Sequence, residues 1–90
     1  MSYNINLTKE AQNHFDFFYK HDKSIIKKIN NLIENAIENP RKGIGKPERL
    51  KYKNEELYSR RINKYHRMVY KIDDDNNSII IISFYGHYDH

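Results

Sequence analysis

Apolar residues recur at helical spacing along the stretch "DKSIIKKINNLIENAIEN", which begins at Asp22. Its apolar positions lie mostly three or four residues apart, with lysine, asparagine and glutamate between them. This period is typical of an amphipathic helix whose apolar stripe faces a core. Asp22 suits the N-cap, and Pro40 and Gly43 are expected to end the helix. The stripe consists of Ile25, Ile26, Ile29, Leu32, Ile33, Ala36 and Ile37.

The residues ahead of this segment predict a strand followed by a shorter helix. Tyr3, Ile5 and Leu7 alternate with polar residues, which is typical of a half-buried strand. Thr8 suits the N-cap of a helix that runs toward Lys20. The expected buried stripe of that helix consists of Ala11, Phe15, Phe18 and Tyr19.

From Leu57 onward the pattern changes from a helical period to strands. Three segments rich in β-branched and aromatic residues are separated by the links "NKYH" and "DDDNN". Consecutive strands with short links favour an antiparallel meander. The preceding basic loop, "PRKGIGKPERLKYKNEE", is expected to hold one short strand around residues 49–51. The three strands are "LYSRRI" (57–62), "RMVYKID" (67–73) and "SIIIISFYGHY" (78–88).

These elements predict a single α+β domain over residues 1–90, in which helices cover one face of a twisted antiparallel sheet of four to five strands. Arg61 and Arg67 can share the open face, provided that the link between their strands sets the right register. This requires that the numbers of directly paired residues add up to an even value. On the last strand, alternation puts His87 and Tyr88 on opposite sides unless Gly86 introduces a bulge. The His87 side also carries Ile79, Ile81, Ser83 and Tyr85, and the Tyr88 side carries Ile80, Ile82 and Phe84.

Charge and composition narrow the class of protein. The formal net charge is +4, but residues 41–71 carry eleven Lys and Arg against three Glu, which gives +8 there and −4 elsewhere. Such a block attracts polyanions such as phosphate backbones, although a solvated basic face has the same composition. The absence of cysteine fits a reducing cytoplasm. No secretory signal or apolar run long enough to span a bilayer is present, so no membrane association is expected.

The side chains expected near the open face suit the cleavage of RNA without a metal or other cofactor. A base takes the proton of a ribose 2′-hydroxyl, whose oxygen attacks the adjacent phosphorus. An acid protonates the departing 5′-oxygen, and cations stabilise the negative charge that develops. DNA lacks the 2′-hydroxyl and would be inert. The candidates are Glu48, Lys51, Arg61, Arg67, His87 and a tyrosine near the end of the chain.

Most of these candidates also have a structural interpretation. Glu48 can be a loop carboxylate that pairs with Arg49 or Lys51. The arginines can be surface residues of strands. Tyr88 is of a type that more often packs half-buried than takes part in chemistry. Charge alone therefore leaves a binding surface and a catalytic site both open.

The histidines add little signal by spacing alone. His87 and His90 are three residues apart, but one terminal pair is weak support for a metal site, and no metal is predicted. His14 and His21 are expected on the surface of a helix. His66 is expected at a turn.

The order of these segments resembles the YoeB/Txe family, a branch of the RelE-like bacterial toxins, over nearly the whole chain. The stretch "DKSIIKKINNLIENAIENP" is similar to the family's second helix, and "GIGKPERLK" is similar to its signature loop. The central hairpin is matched by "LYSRRINKYHRMVYKI", and the terminal "GHY" resembles the family's His-Tyr ending. The resemblance implies a RelE-like fold with two N-terminal helices packed on the sheet.

The resemblance also implies the toxin of a type II toxin–antitoxin system, a ribosome-dependent endoribonuclease that cleaves mRNA in the ribosomal A site. By position, Glu48 corresponds to the family's general base and Arg67 to its phosphate-stabilising arginine. His87 corresponds to the proposed general acid. Tyr88 matches the aromatic residue that helps to orient the substrate.

Other family positions are matched only in part. Lys51 and Arg61 fall where the family places further cations in or near the site. Well-known members often carry a histidine where this chain has Tyr52, and an acidic residue where it has Tyr65. The match therefore does not extend to a helper role at those two positions. The two residues after Tyr88 form a small extension beside the expected site.

The implied partners follow from the same basic surface. A YefM-like antitoxin would supply an acidic, flexible peptide that folds onto the cleft. The toxin–antitoxin complex would bind operator DNA, which the toxin alone is not expected to read. A homodimer is compatible with the resemblance. The rival interpretation is a basic RNA- or ribosome-binding module of the same fold that does not cleave its target.

Overall fold

A computed structural model of the chain describes residues 2–51 and 54–86. Two helices pack on a five-stranded sheet whose strand order is β1-β5-β4-β3-β2, which confirms the α+β class. No helix in these two ranges is long and apolar enough to cross a membrane. The elements are β1 (Asn4–Leu7), α1 (Lys9–His21), α2 (Lys23–Glu38), β2 (Glu48–Leu50), β3 (Leu57–Arg61), β4 (Arg67–Asp73) and β5 (Ser78–Ser83).

The two helices begin in different ways. Thr8 caps α1 as predicted, because its side-chain oxygen accepts a hydrogen bond of 3.1 Å from the Ala11 N–H. Asp22 stands at the N-cap position of α2 but makes no side-chain bond to the backbone there. Its carboxylate accepts instead from the Ser24 hydroxyl at 2.6 Å. The predicted position of this cap is thus right, and the predicted capping bond is wrong.

The helices bury the stripes that their periodicity predicts, with one exception. Ile29 and Leu32 of α2 are fully buried against the sheet, and Phe18 of α1 packs into the same core. Tyr19 was expected in this stripe but is 56% exposed. It follows Phe18 directly, and one helical step of about 100° turns its side chain away from the stripe. In α1 the core takes three of the four predicted positions, which are spaced four and three residues apart.

The sheet is mixed, which corrects the expectation of a wholly antiparallel sheet. Strands β2 to β5 form the predicted antiparallel meander. Strand β1, however, pairs with β5 in parallel, so that Asn4 lies opposite Ser78 and Leu7 opposite Ile81. Parallel neighbours need a long crossover between them, and the chain between β1 and β5 contains both helices. Alternation within a short segment predicts a strand but not which neighbour it pairs with.

The last strand ends earlier than predicted. It stops at Ser83, and a register shift between Val69 and Tyr70 marks its pairing with β4. Beyond that point, alternation no longer sets the side of each residue. Phe84 was predicted on the side of Ile80, but it is fully buried in the helix-facing core, where its ring lies 6.1 Å from that of Phe15.

Candidate functional site

The open face of the sheet carries a cleft where strands β2, β3 and β4 meet the loop before β2. Register fixes its floor, because Glu48 lies opposite Ser59 and Arg61 lies opposite Arg67. Directly opposed residues share one face of an antiparallel pair. The cleft has a volume of about 340 Å³. Its lining consists of Lys46, Pro47, Glu48, Ser59, Arg61 and Arg67.

The charge of this cleft suits an anion. It is lined by three cationic side chains and one carboxylate, Glu48. Glu48 and Arg61 are both exposed, and neither side chain has a hydrogen bond or ion pair within the described part of the chain. A concave basic surface concentrates field lines and favours a phosphate group. The register between β3 and β4 meets the condition under which Arg61 and Arg67 were expected to share a face.

Arg67 is held in place by the turn that precedes its strand. Its Nη1 donates to the carbonyl of Asn63 at 2.9 Å and to that of His66 at 3.2 Å. The Asn63 side-chain oxygen in turn accepts from the backbone N–H groups of Tyr65 and His66 at 2.8 and 2.9 Å. The half-buried guanidinium is therefore anchored on one side by carbonyls. Anchoring of this kind reduces the rotamer freedom that the side chain would lose on binding an anion.

A buried arginine behind the cleft organises the loop that supplies Lys46 and Pro47. Arg60 is fully buried, and its guanidinium has a hydrogen-bond partner for each of its five N–H groups. These partners belong to α2, to the loop that follows it and to β4. The distances are 2.9 Å to the Tyr70 hydroxyl, 2.5 Å to Asn35 Oδ1, 3.1 Å to the Ile44 carbonyl, 2.6 Å to the Asn39 carbonyl and 3.0 Å to the Lys42 carbonyl.

The same contacts explain how a charge is tolerated there. The carbonyl of Asn39, the C-cap of α2, lies at the negative end of the helix dipole. Tyr70 is also fully buried, and its hydroxyl donates to the Pro40 carbonyl at 2.6 Å. Burial raises the pKa of Tyr70, so the phenol stays protonated and able to donate. Arg60 and Tyr70 together fix the start of the loop.

The end of this loop is fixed by a close backbone approach at Gly45. The Arg61 N–H donates to the Gly45 carbonyl at 2.6 Å. Gly45 has φ +80, and an added Cβ would lie 2.7 Å from the Leu32 Cδ2 atom. Only glycine suits both conditions. The chain then enters β2 at Glu48, which lines the cleft.

The other predicted site residues are Lys51, His87 and Tyr88, of which the structure describes only Lys51. Lys51 is exposed and follows β2 directly, but it does not line the cleft. His87 and Tyr88 lie outside the described residues, as does Tyr52. Tyr65 lies in the turn between β3 and β4 and is 64% exposed. The roles suggested for Lys51, His87 and Tyr88 stay predictions.

The last described residues are attached to the turn before Arg67 and to α1. The Gly86 N–H donates to His66 Nδ1 at 2.9 Å, and the Gly86 carbonyl accepts from the Arg67 N–H at 3.0 Å. Phe84 N–H donates to His14 Nδ1 at 3.2 Å. Burial, followed by repulsion from His14, lowers the pKa of His66. Both histidines therefore accept hydrogen bonds that hold residues 84–86. The surface and turn positions expected for them did not predict this role.

Sequence reasoning missed Arg60, Ser59, Lys46 and His66 as functional neighbours of the cleft. A signal existed for Arg60, because alternation along "LYSRRI" puts it on the side opposite Arg61 and hence beneath the helices. Ser59 and Lys46 required the register of β2, which is only three residues long. His66 could be recognised only from the path that the chain takes after β5.

The described residues hold no cluster of three or more His, Asp or Glu side chains that could bind a metal ion. His87, Asp89 and His90 are outside this description. The cleft itself offers one carboxylate among three cations, a set that favours an anion over a metal cation.

The sequence matches the YoeB-like toxins of bacterial type II toxin–antitoxin systems over residues 7–88. The toxin YoeB of Synechocystis is 42% identical over 84 residues, which are 93% of this chain and 95% of that protein. The YoeB dimer from Staphylococcus aureus is 43% identical, with a TM-score of 0.87, and the match covers 98% of this chain and 100% of that one.

Two complexes extend the comparison. The heterotetrameric YoeB–YefM toxin–antitoxin complex from Staphylococcus aureus contains a chain that is 43% identical, with a TM-score of 0.82 and coverage of 98% and 100%. The archaeal RelE–RelB complex from Pyrococcus horikoshii matches with a TM-score of 0.75 at 16% identity, over 96% of both chains. The latter likeness concerns the fold alone and confirms that the fold is RelE-like.

Proposed function

Because the chain belongs to the YoeB-like toxins of bacterial type II toxin–antitoxin systems, we propose that it is a ribosome-dependent endoribonuclease that cleaves mRNA in the ribosomal A site. Family membership confirms the resemblance expected from the order of the motifs. The observation that carries the catalytic proposal is the cleft, which Glu48, Arg61 and Arg67 line from three neighbouring strands. This activity places the protein in the cytoplasm, where ribosomes translate.

The proposed reaction needs one base, one acid and a cationic clamp. Glu48 accepts the proton of the ribose 2′-hydroxyl, and that oxygen forms a bond to the adjacent phosphorus. The bond from phosphorus to the 5′-oxygen breaks, and His87 donates a proton to the departing oxygen. The products are a 2′,3′-cyclic phosphate and a free 5′-hydroxyl. No metal or cofactor takes part in these steps.

Arg67 and Arg61 stabilise the negative charge that develops on the phosphoryl oxygens. Their strands place them directly opposite each other, so one phosphate can meet both guanidiniums. The carbonyl contacts of Arg67 orient it before the substrate arrives. Lys51 supplies a further positive charge for the RNA backbone, and Tyr88 orients the nucleotide. These last two roles, like that of His87, come from the matched family positions.

The same basic cleft supports a proposal for the partners. We expect a YefM-like antitoxin to neutralise the toxin, since the similar Staphylococcus aureus toxin is found with YefM in a heterotetramer. An acidic segment of that antitoxin would cover the cations of the cleft and exclude RNA. Operator DNA would be bound only through this complex. A homodimer of the free toxin fits the YoeB dimer of the same species.

The test is to add antitoxin-free protein to translating ribosomes programmed with a known mRNA and to map the new 5′ ends. We expect cleavage within the A-site codon by the wild-type protein and loss of cleavage in Glu48→Gln and His87→Ala. Arg49→Ala is the matched control, because this exposed neighbour of Glu48 on β2 does not line the cleft. Ribosome binding with an intact message would contradict the proposal and favour the non-cleaving binding module.

A further inference from the structure

The peptide groups on both sides of Gly86 are fixed by two consecutive residues of the turn before β4. His66 Nδ1 accepts from the Gly86 N–H at 2.9 Å, and the Arg67 N–H donates to the Gly86 carbonyl at 3.0 Å. The carbonyl of His66 also accepts from the Arg67 side chain at 3.2 Å. The turn that anchors the phosphate-binding arginine thus also anchors the chain end that leads to His87.

The imidazole of His66 is held in place by aromatic packing on two sides. The ring of Phe18 lies 5.1 Å away in an edge-on arrangement, and the ring of Tyr85 lies 4.8 Å away. Phe18 belongs to the buried core, so the first contact connects the imidazole to α1. Packing of this kind fixes the direction of the Nδ1 lone pair. The acceptor for Gly86 therefore has a fixed orientation.

The hydrogen bond from Gly86 requires a neutral imidazole. A neutral ring has one nitrogen that accepts, whereas an imidazolium has two N–H donors and cannot accept from an amide. The neutral tautomer in this structure carries its proton on Nε2, because Nδ1 receives the Gly86 N–H. Protonation of His66 would place two donors against each other and break the bond.

Several titratable and charged groups face His66, and the positively charged ones disfavour its protonation. From α1, His14 lies close enough to repel a second positive charge, and Glu10 lies 3.7 Å from the far nitrogen of His14. The Tyr85 ring covers His66 from the chain end, and the Tyr65 ring lies 6.4 Å away in its own turn. Arg67, which follows directly, adds another positive charge. Burial is the largest cause of the lowered pKa of His66.

We propose that His66 is a positioning residue that holds Gly86, and through it the attached His87, for the cleavage reaction, and that it does so only as a neutral imidazole. The catalytic part of this inference rests on the proposed function. The hydrogen bond itself does not. His66 touches neither substrate nor reacting atoms in this proposal and acts through the peptide that joins Gly86 to the acid.

The sign of the pH dependence follows from the direction of the shift. Because folding lowers the pKa of His66 below its ordinary value of 6.5, the neutral form is favoured in the folded protein. The contribution of the bond to stability is complete above that ordinary value. It is lost as the pH falls through the lower pKa of the folded state. Cleavage should decline over the same range, in addition to any titration of His87.

Two variants distinguish the role of His66 as a hydrogen-bond acceptor from the effect of its protonation. His66→Asn keeps an acceptor oxygen close to the position of Nδ1 but cannot be protonated. His66→Leu puts an apolar side chain in the place of the imidazole and removes the acceptor. The matched control is His21→Leu, which removes an exposed imidazole of α1 that packs on the ring of Phe17 but makes no hydrogen bond within the described residues.

The first readout is the amide signal of Gly86 in a nuclear magnetic resonance titration of the free protein, which needs no RNA. In the wild type and in His21→Leu, we expect this signal to shift as the pH falls below about 6.5. In His66→Asn the part of the shift that is due to His66 should vanish, while thermal unfolding shows an intact fold. A Gly86 signal that titrates identically in His66→Asn and in the wild type would overturn the inference.

The second readout is the single-turnover cleavage rate on ribosomes as a function of pH. His66→Leu should lower the rate by about 10- to 100-fold, because a small displacement of an acid is costly. His66→Asn should restore most of the rate at neutral pH with a weaker decline on the acid side. Wild-type rates and an unchanged pH profile in His66→Leu would contradict the positioning role. Failure of the wild type to cleave would refute the proposed function, while the amide titration would still decide whether the clamp exists.

Discussion

Two neighbouring arginines on β3 show how differently the two faces of the sheet use the same side chain. Arg60 points toward the helices, is fully buried and has five hydrogen-bond partners. Arg61 points to the open face, is exposed and lines the cleft. Strand alternation alone separates them. The first fixes the shape of the loop, and the second is available to a ligand.

The difference has an energetic reason. A buried guanidinium is tolerated only when its donors are satisfied, and such a group then ties together all the segments that supply acceptors. An exposed guanidinium keeps its hydration and contributes little to the fold, but it can exchange water for phosphate. Structural and binding roles are thus assigned by face rather than by residue type.

The largest effect is expected from removing the buried arginine. Arg60→Ala should lower the free energy of unfolding by about 3 kcal/mol or more, because several buried acceptors lose their donor together and a cavity remains. Urea denaturation of the purified protein measures this change. Arg60→Lys should recover only part of the loss, since an ammonium cannot reach five acceptors. A loss below about 1 kcal/mol in Arg60→Ala would mean that the loop has other supports.

The next effect concerns the cleft and is one of rate rather than stability. Arg67→Lys should slow single-turnover mRNA cleavage by about 100-fold, because an ammonium does not reproduce the planar grip on phosphate. Its free energy of unfolding should change much less than that of the Arg60 variants. Cleavage at the wild-type rate would indicate that the cleft acts only through its net charge.

A smaller effect is expected where a cation serves the fold at the surface. Arg41 donates to both carboxylate oxygens of Glu56, at 2.6 and 2.7 Å, and to Asp74 at 2.8 Å. These bonds lower the pKa of Glu56 and, after the bond from Tyr3, that of Asp74. Lowered carboxylate pKa values stabilise the fold above the ordinary value and lose that contribution as the pH falls through the lower one.

Arg41→Ala should therefore destabilise the protein by up to about 1 kcal/mol at neutral pH and by much less in strong acid, since the Arg41–Glu56 pair is partly exposed to solvent. Urea denaturation of both proteins at about pH 7 and about pH 2.5 measures the difference. An equal loss at both pH values would show that Arg41 acts through packing and not through charge.

The smallest change in stability is expected at Arg61. Arg61→Ala should alter the free energy of unfolding by no more than about 0.5 kcal/mol, as is usual for exposed positions. The same variant should still slow cleavage clearly, because its guanidinium lines the cleft. Arg61→Ala should therefore differ from Arg60→Ala mainly in stability, because only Arg60 is buried. A large loss of stability in Arg61→Ala would remove the distinction between the two faces.

Much of the fold could be predicted because local patterns determine it. The 3.6-residue period between Ile25 and Ile37 predicted α2. Segments rich in β-branched and aromatic residues with short links predicted the meander of β3, β4 and β5. The cleft could be predicted only as a possibility, because the sequence did not fix the register that brings Arg61 opposite Arg67. The role of Glu48 came from the family resemblance and not from its place in the basic loop.

The rest depends on contacts between residues far apart in the chain. The parallel pairing of β1 with β5 joins segments on either side of both helices. The place of Phe84 depends on where β5 stops, and the hydrogen bond of His66 depends on the path of the chain afterwards. The network around Arg60 uses carbonyls of an irregular loop, for which no side-chain pattern exists.

In the proposed reaction, the cleft directs a ribose 2′-oxygen onto the neighbouring phosphorus. The most direct measurement compares two ribosome-bound messages, one all-RNA and one with a single 2′-deoxynucleotide at the mapped cleavage position. We expect the wild-type protein to cleave the first and to leave the second intact at that position. Equal cleavage of both messages would contradict this mechanism.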